Sequence, residues 1–189
     1  EAAFVFALPL AEGGSLEAQR WLAYAYHNGW GVSKKPKEAF RWAKQAAEAG
    51  DPSSQRMLAF FYDAGSGVEK EPRLFFHWTR QAAEKGDAPA MLNLSHAYEH
   101  GVGTSKDRAA ALDWARRTAS SDSSTLTADT ADRARTAVAR LEAPEAKAPV
   151  AEALAAPAPA AASVAPAAKP APAIRSDVDE LPAQRAVDP

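Results

Sequence analysis

The sequence predicts an all-α fold of stacked repeats, each built from two helices. Three observations carry that expectation. One set of positions returns every 36 residues: Gly29, Gly65 and Gly101; Gly31, Gly67 and Gly103; Leu22, Leu58 and Leu94; Tyr26, Tyr62 and Tyr98; Trp42, Trp78 and Trp114. A period of this size belongs to units that each bury a face on the next, rather than to one closed core. Within each unit the leucine and the tyrosine stand four apart, on one face of a helix. Glycine and proline then punctuate the units at fixed offsets.

The first stretch, EAAFVFALPL, has the apolar look of a signal-peptide core, but the register reads it differently. A shift of 36 puts Ala3 on Ala39, Phe6 on Trp42, Ala11 on Ala47, Glu12 on Glu48 and Gly14 on Gly50. Residues 1–14 are therefore expected to be the second half of a degraded repeat. A chain opening on Glu rather than Met is expected to be a fragment or a processed product.

Three full units follow, at 15–50, 51–86 and 87–122. The first helix of each is expected to begin near Ala18, Ser54 and Ala90. Asp51 with Pro52, and Asp87 with Pro89, supply a capping oxygen and a preset backbone angle. The helix ends at the glycine pair, where a positive φ stops it and the chain turns. The second helix starts at Pro36, Pro72 and Asp107 and carries alanines beside Trp42, Trp78 and Trp114. Small residues flanking one bulky ring let neighbouring helices approach closely, so the tryptophans are expected in the core. Gly50 and Gly86 close the second helix.

Beyond residue 122 the register decays, with Thr130 and Ala134 where the leucine and tyrosine stood. Residues of about 126–142 still read as a helix, with Ala131, Ala134, Val138 and Leu141 on one side. A polar-backed final helix is the cap that an open solenoid end needs.

Taken in order, the small residue, Leu-Ala-x-x-Tyr, Gly-x-Gly-Val, Ala-x-x-Trp-x-x-x-Ala-Ala and the closing glycine resemble the Sel-one-like repeat of the tetratricopeptide superfamily. The pattern is full over residues 18–50 and 54–86 and weaker over 90–119. With the half units it covers 1–142. Ala23, Ala59 and Ser95 stand where the family usually has glycine, Thr104 replaces a valine, and Asp122 replaces the closing glycine. The resemblance implies a right-handed α-α superhelix of antiparallel helix pairs, a tetratricopeptide-like solenoid. It also implies an adaptor or scaffold role in bacterial envelope, signalling or host-interaction proteins, with the periplasm ahead of the cytoplasm as location.

Composition divides the chain. Residues 1–142 hold every Trp, Tyr and Phe, whereas 143–189 hold no aromatic residue and nine of the 14 prolines. Such Ala/Pro-rich sequence cannot bury enough apolar surface to offset chain entropy, so it is expected to be a disordered linker or tail, stiffened by its prolines. The formal net charge is −2; four Lys/Arg and six Asp/Glu lie in the tail, leaving 18 of each sign in 1–142. A neutral body has no electrostatic footprint for nucleic acid. No apolar run approaches the length of a membrane span, about 20 residues. The chain has no cysteine, which excludes disulfides and thiolate metal sites.

No nucleophile elbow and no carboxylate pair stands apart from ordinary helix-surface charge. The glycine pairs lack the preceding strand and the further glycine of a dinucleotide loop. The expected function is thus non-catalytic, without a cofactor: an adaptor or scaffold that binds a peptide or protein segment in a groove lined by the first helices. The alternative is an accessory repeat domain of a larger bacterial envelope enzyme or signalling regulator. Oligomeric state is left open.

By analogy with tetratricopeptide arrays, the groove positions flank the packing leucine and tyrosine. They are Arg20, Tyr24, His27 and Asn28 in the first unit, Arg56, Phe60 and Asp63 in the second, and Leu92, His96, Glu99 and His100 in the third. Tyr24, Phe60 and His96 share one offset and form a ladder of rings. Arg20 and Arg56 share another, a basic pair suited to a carboxylate or a peptide backbone. His96 and His100 stand four apart, a spacing at which two imidazoles can share a metal. The order is not His-Glu-x-x-His and no third ligand is in sight, so no metal site is assigned.

Overall fold

The computed structural model describes residues 2–121 and 126–144. Among the described residues there are eight α-helices and no strand. They are α1 (Ala2–Glu12), α2 (Leu16–Asn28), α3 (Pro36–Glu48), α4 (Pro52–Ala64), α5 (Pro72–Glu84), α6 (Ala88–His100), α7 (Arg108–Ala119) and α8 (Ala128–Glu142). Each packs on its neighbours in sequence, and α8 also reaches α6. The result is an all-α solenoid of antiparallel pairs: α2 with α3, α4 with α5, α6 with α7. Apart from Ala143 and Pro144, the expected tail 143–189 lies outside the described residues.

The first helices begin two residues earlier than their apolar pattern suggests, because the cap decides where the backbone turns helical. Ser15, Asp51 and Asp87 are the N-caps, and the two carboxylates accept the amides of Ser54 at 2.7 Å and Ala90 at 2.8 Å. These bonds satisfy donors that the first turn leaves without a partner. At the other end Gly29, Gly65 and Gly101 adopt φ of 83°, 67° and 73° and return their amides to the last turn. In the second helices Pro36 and Pro72 are the first residues, as expected. Asp107 instead caps α7 from outside, accepting the Ala110 amide at 2.9 Å.

Leu22, Ala23 and Tyr26 of α2 fill the space between Ala39, Trp42 and Ala43 of α3 and Met57 and Phe61 of α4. Burial of this kind, at roughly 25 cal/mol per Å² of apolar surface, is what holds one unit to the next. Trp42 is buried as expected, but Trp78 and Trp114 are only half-buried. Their ring edges reach solvent, with the Arg117 guanidinium 4.8 Å above Trp114.

Polar ties repeat along with the apolar ones. Gln19 Nε2 donates to the Ala11 carbonyl at 3.0 Å and Gln55 Nε2 to the Ala47 carbonyl at 3.2 Å, each joining a first helix to the end of the helix before it. α8 buries Thr130, Ala131, Ala134, Ala137 and Leu141 and leaves Asp129, Asp132, Arg133 and Arg135 exposed. No helix among the described residues is long and apolar enough to cross a membrane.

Candidate functional site

Some of the positions flanking the packing Leu and Tyr form two patches, one on α2, α4 and the turn after α2, the other on α6 and α8. The first patch is aromatic. Tyr24 stacks on Trp30 with ring centroids 6.4 Å apart and planes 22° from parallel. The His27 ring meets Phe60 edge-on at 5.4 Å and Phe61 at 5.5 Å, joining α2 to α4. Trp30 and Phe60 are 55% and 46% exposed, so large apolar surface faces water here. Trp30 is absent from the sequence-derived set. Its turn reads as a helix stop, and the only signal pointing further is an aromatic residue between two glycines.

The second patch is polar. His96 and His100 stack with centroids 4.1 Å apart, and His100 Nδ1 lies 3.1 Å from the His96 carbonyl oxygen. Arg140, from α8, donates from Nε and Nη2 to the two Glu99 oxygens at 2.9 and 2.6 Å. Glu99 is therefore engaged by the last helix, a correction to its place among open groove positions. Nothing in the repeat register could have shown this, because α8 departs from that register. Between α6 and α8 lies a cleft of about 400 Å³ lined by Leu92, Asn93, His96, Arg133, Thr136 and Arg140, among others.

His96 is held below histidine's usual pKa by burial and then by the positive charge of His100 and Arg140. The negative charges of Glu99 and, more weakly, Asp63 pull the other way. Asp63 itself pairs with Lys70 at 3.5 Å. Asn28 turns back on its own helix, donating from Nδ2 to the Tyr24 carbonyl at 3.0 Å.

Two expectations are corrected outright. Arg20 and Arg56 do not offer a basic pair to a ligand, because their charges are already taken. Arg20 pairs with Asp51 at 3.1 Å and Arg56 with Asp87 at 3.0 Å, each reaching the carboxylate that caps the next first helix. Burial disfavours the charge of Arg56, yet Asp87 first and then Tyr24 more than offset it and leave its pKa raised. Leu92, at the same offset, is not an open groove residue either; it is 8% exposed and only edges the cleft between α6 and α8. It is buried with Ala111 and Ala115 of α7 and Ala134, Ala137 and Leu141 of α8. The sequence does carry a trace of this change, since position 123 is Ser where Asp87 and Asp51 stand one and two units earlier. The arginine and its aspartate are lost together.

The sequence model of the Sel1 repeat matches residues 16–51, 52–87 and 88–123. Among solved structures, the chain is similar to a Sel1 repeat protein from Oxalobacter formigenes, with 31% identity and a TM-score of 0.59 over 66% of this chain and 48% of that one. It is also similar to c5321, a protective antigen of uropathogenic Escherichia coli strains displaying an SLR fold, with 34% identity and a TM-score of 0.57 over 58% of this chain and 23% of that one. The chain thus spans less than half the length of either structure. No curated protein matches it in sequence.

Proposed function

The chain belongs to the Sel1 repeat family, and from that premise we propose that it is a non-catalytic adaptor whose first-helix face captures a peptide or protein segment. Proteins of this family are in general protein-interaction scaffolds. The observation that carries the finer reading is the ring surface of exposed Trp30 and Phe60 with half-buried Tyr24 and His27, spread over α2, α4 and the turn after α2. Stacked, pre-ordered aromatics lose little rotamer freedom on binding and are the residue type on which interface energy concentrates. The packing residues Leu22, Leu58 and Leu94 are fully buried and hold this surface without being part of it.

The test is a crosslinking pull-down with the full chain against the Tyr24→Ala/Phe60→Ala double variant. Capture should fall at least about tenfold, with helical circular dichroism unchanged, because Phe60 is exposed and Tyr24 only half-buried at the edge of the core. Equal capture by both proteins would remove the ring surface from the binding site.

A further inference from the structure

Helix α1 carries no charged residue from Ala2 to Ala11 and is apolar on every side. A helix of that kind is ordinarily buried all round. Its inner side is: Phe4, Ala7 and Leu8 pack on the first core cluster, where Ala11 is buried and Phe4 meets Tyr26 edge-on at 5.2 Å. Its outer side is not. Val5, Phe6 and Leu10 are 67%, 73% and 61% exposed.

The register tells what covers the equivalent surface elsewhere in the array. Phe6 and Leu10 stand one period before Trp42 and Ala46, which are 3% and 0% exposed. Ala3 and Ala7 stand likewise before Ala39 and Ala43, both fully buried. Three of those α3 residues, Ala39, Trp42 and Ala43, share one core cluster with Leu22, Ala23 and Tyr26 of α2 and with Met57 and Phe61 of α4. One unit earlier the same space, between α1 and α2, is an open cleft of about 380 Å³. It is lined by Ala3, Phe6, Ala7, Leu10, Ala18 and Trp21, among others.

We propose that this cleft is the seat of a further helix of the first-helix type, in line with the array and antiparallel to α1. It would present a leucine, a small residue and a tyrosine as α2 does to α3. The seat continues an interface that the array already makes three times. A second copy stacked head to tail is a poorer occupant, because it would lay the exposed Asp129, Asp132, Arg133 and Arg135 of α8 on the uncharged outer side of α1, in a cleft whose lining carries a single charge, Glu17.

The experiment adds residues 15–36, the array's own first helix and turn, directly ahead of Glu1 of the full chain. That junction keeps the 36-residue register and alters nothing in 1–189. Amide exchange across α1 should slow at least about tenfold. A control in which the added copies of Leu22 and Tyr26 are Asp should lose that protection. Unchanged exchange, or equal protection in the control, would overturn the proposal. So would sedimentation of the unextended chain as a dimer that Phe6→Glu converts to monomer, since the seat would then belong to a second copy.

Discussion

At Gly103 the backbone runs so close to the preceding unit that an added Cβ would overlap the Pro72 carbonyl and lie 2.9 Å from the Phe76 Cβ. Gly67 makes the same approach to Pro36. Gly86 also has a positive φ, +88°, but nothing stands within 4 Å of where its Cβ would be. Two costs can therefore be separated. Gly86→Ala should lose only the left-handed penalty, about 1–2 kcal/mol. Gly103→Ala should lose that and displace main chain besides, about 3 kcal/mol or more in all. Urea denaturation of the two variants compares them, and equal losses would mean that φ alone explains both glycines. Both members of each glycine pair read alike in the sequence, as helix stops. Only the structure separates Gly65 and Gly101, which end a helix, from Gly67 and Gly103, which admit the neighbouring backbone.

The element least legible in advance is α8. Its helical stripe was readable from Ala131, Ala134 and Leu141, but its side-chain ties were not, because they join residues outside the repeat register. Arg140 to Glu99 and Arg116 to Glu142, the latter at 2.6 Å, pin it to α6 and α7, and Arg108 donates to the Ala143 carbonyl just beyond its end. This packing gives the helix a response to acid. Burial, with His100 and Arg140 adding to it, keeps the pKa of His96 below its usual 6.5, so the folded chain holds that proton less tightly than the unfolded chain does. At higher pH the residue is neutral in both states and contributes nothing. As pH falls through 6.5 the unfolded state protonates first and stability is lost. The melting temperature should drop between about pH 7.5 and pH 5.5, and His96→Asn should flatten part of that drop. Identical profiles for the two proteins would show that another group carries the acid response.

For the whole molecule, the solenoid was legible because stacking demands the same residues at the same offsets, and Leu22, Tyr26 and Trp42 repeat for that reason. The face was legible only by position. Which of its side chains were already spoken for depended on partners 31 residues away, as with Arg20 and Asp51, or 41 away, as with Glu99 and Arg140. No periodic pattern within one unit encodes such pairs. Yet Arg20 with Asp51 and Arg56 with Asp87 are one joint made twice, and so are Pro36 with Gly67 and Pro72 with Gly103. Cutting out residues 51–86 would bring Arg20 to Asp87 and Pro36 to Gly103, the same partners under new numbers. The shortened chain should keep its helical content per residue and melt cooperatively at a lower temperature, having one interface fewer. Loss of cooperative melting would show that the joints are not interchangeable. If they are, length is a variable this chain can change in whole steps, adding or removing first-helix face like track laid in standard sections, with no coupling redesigned.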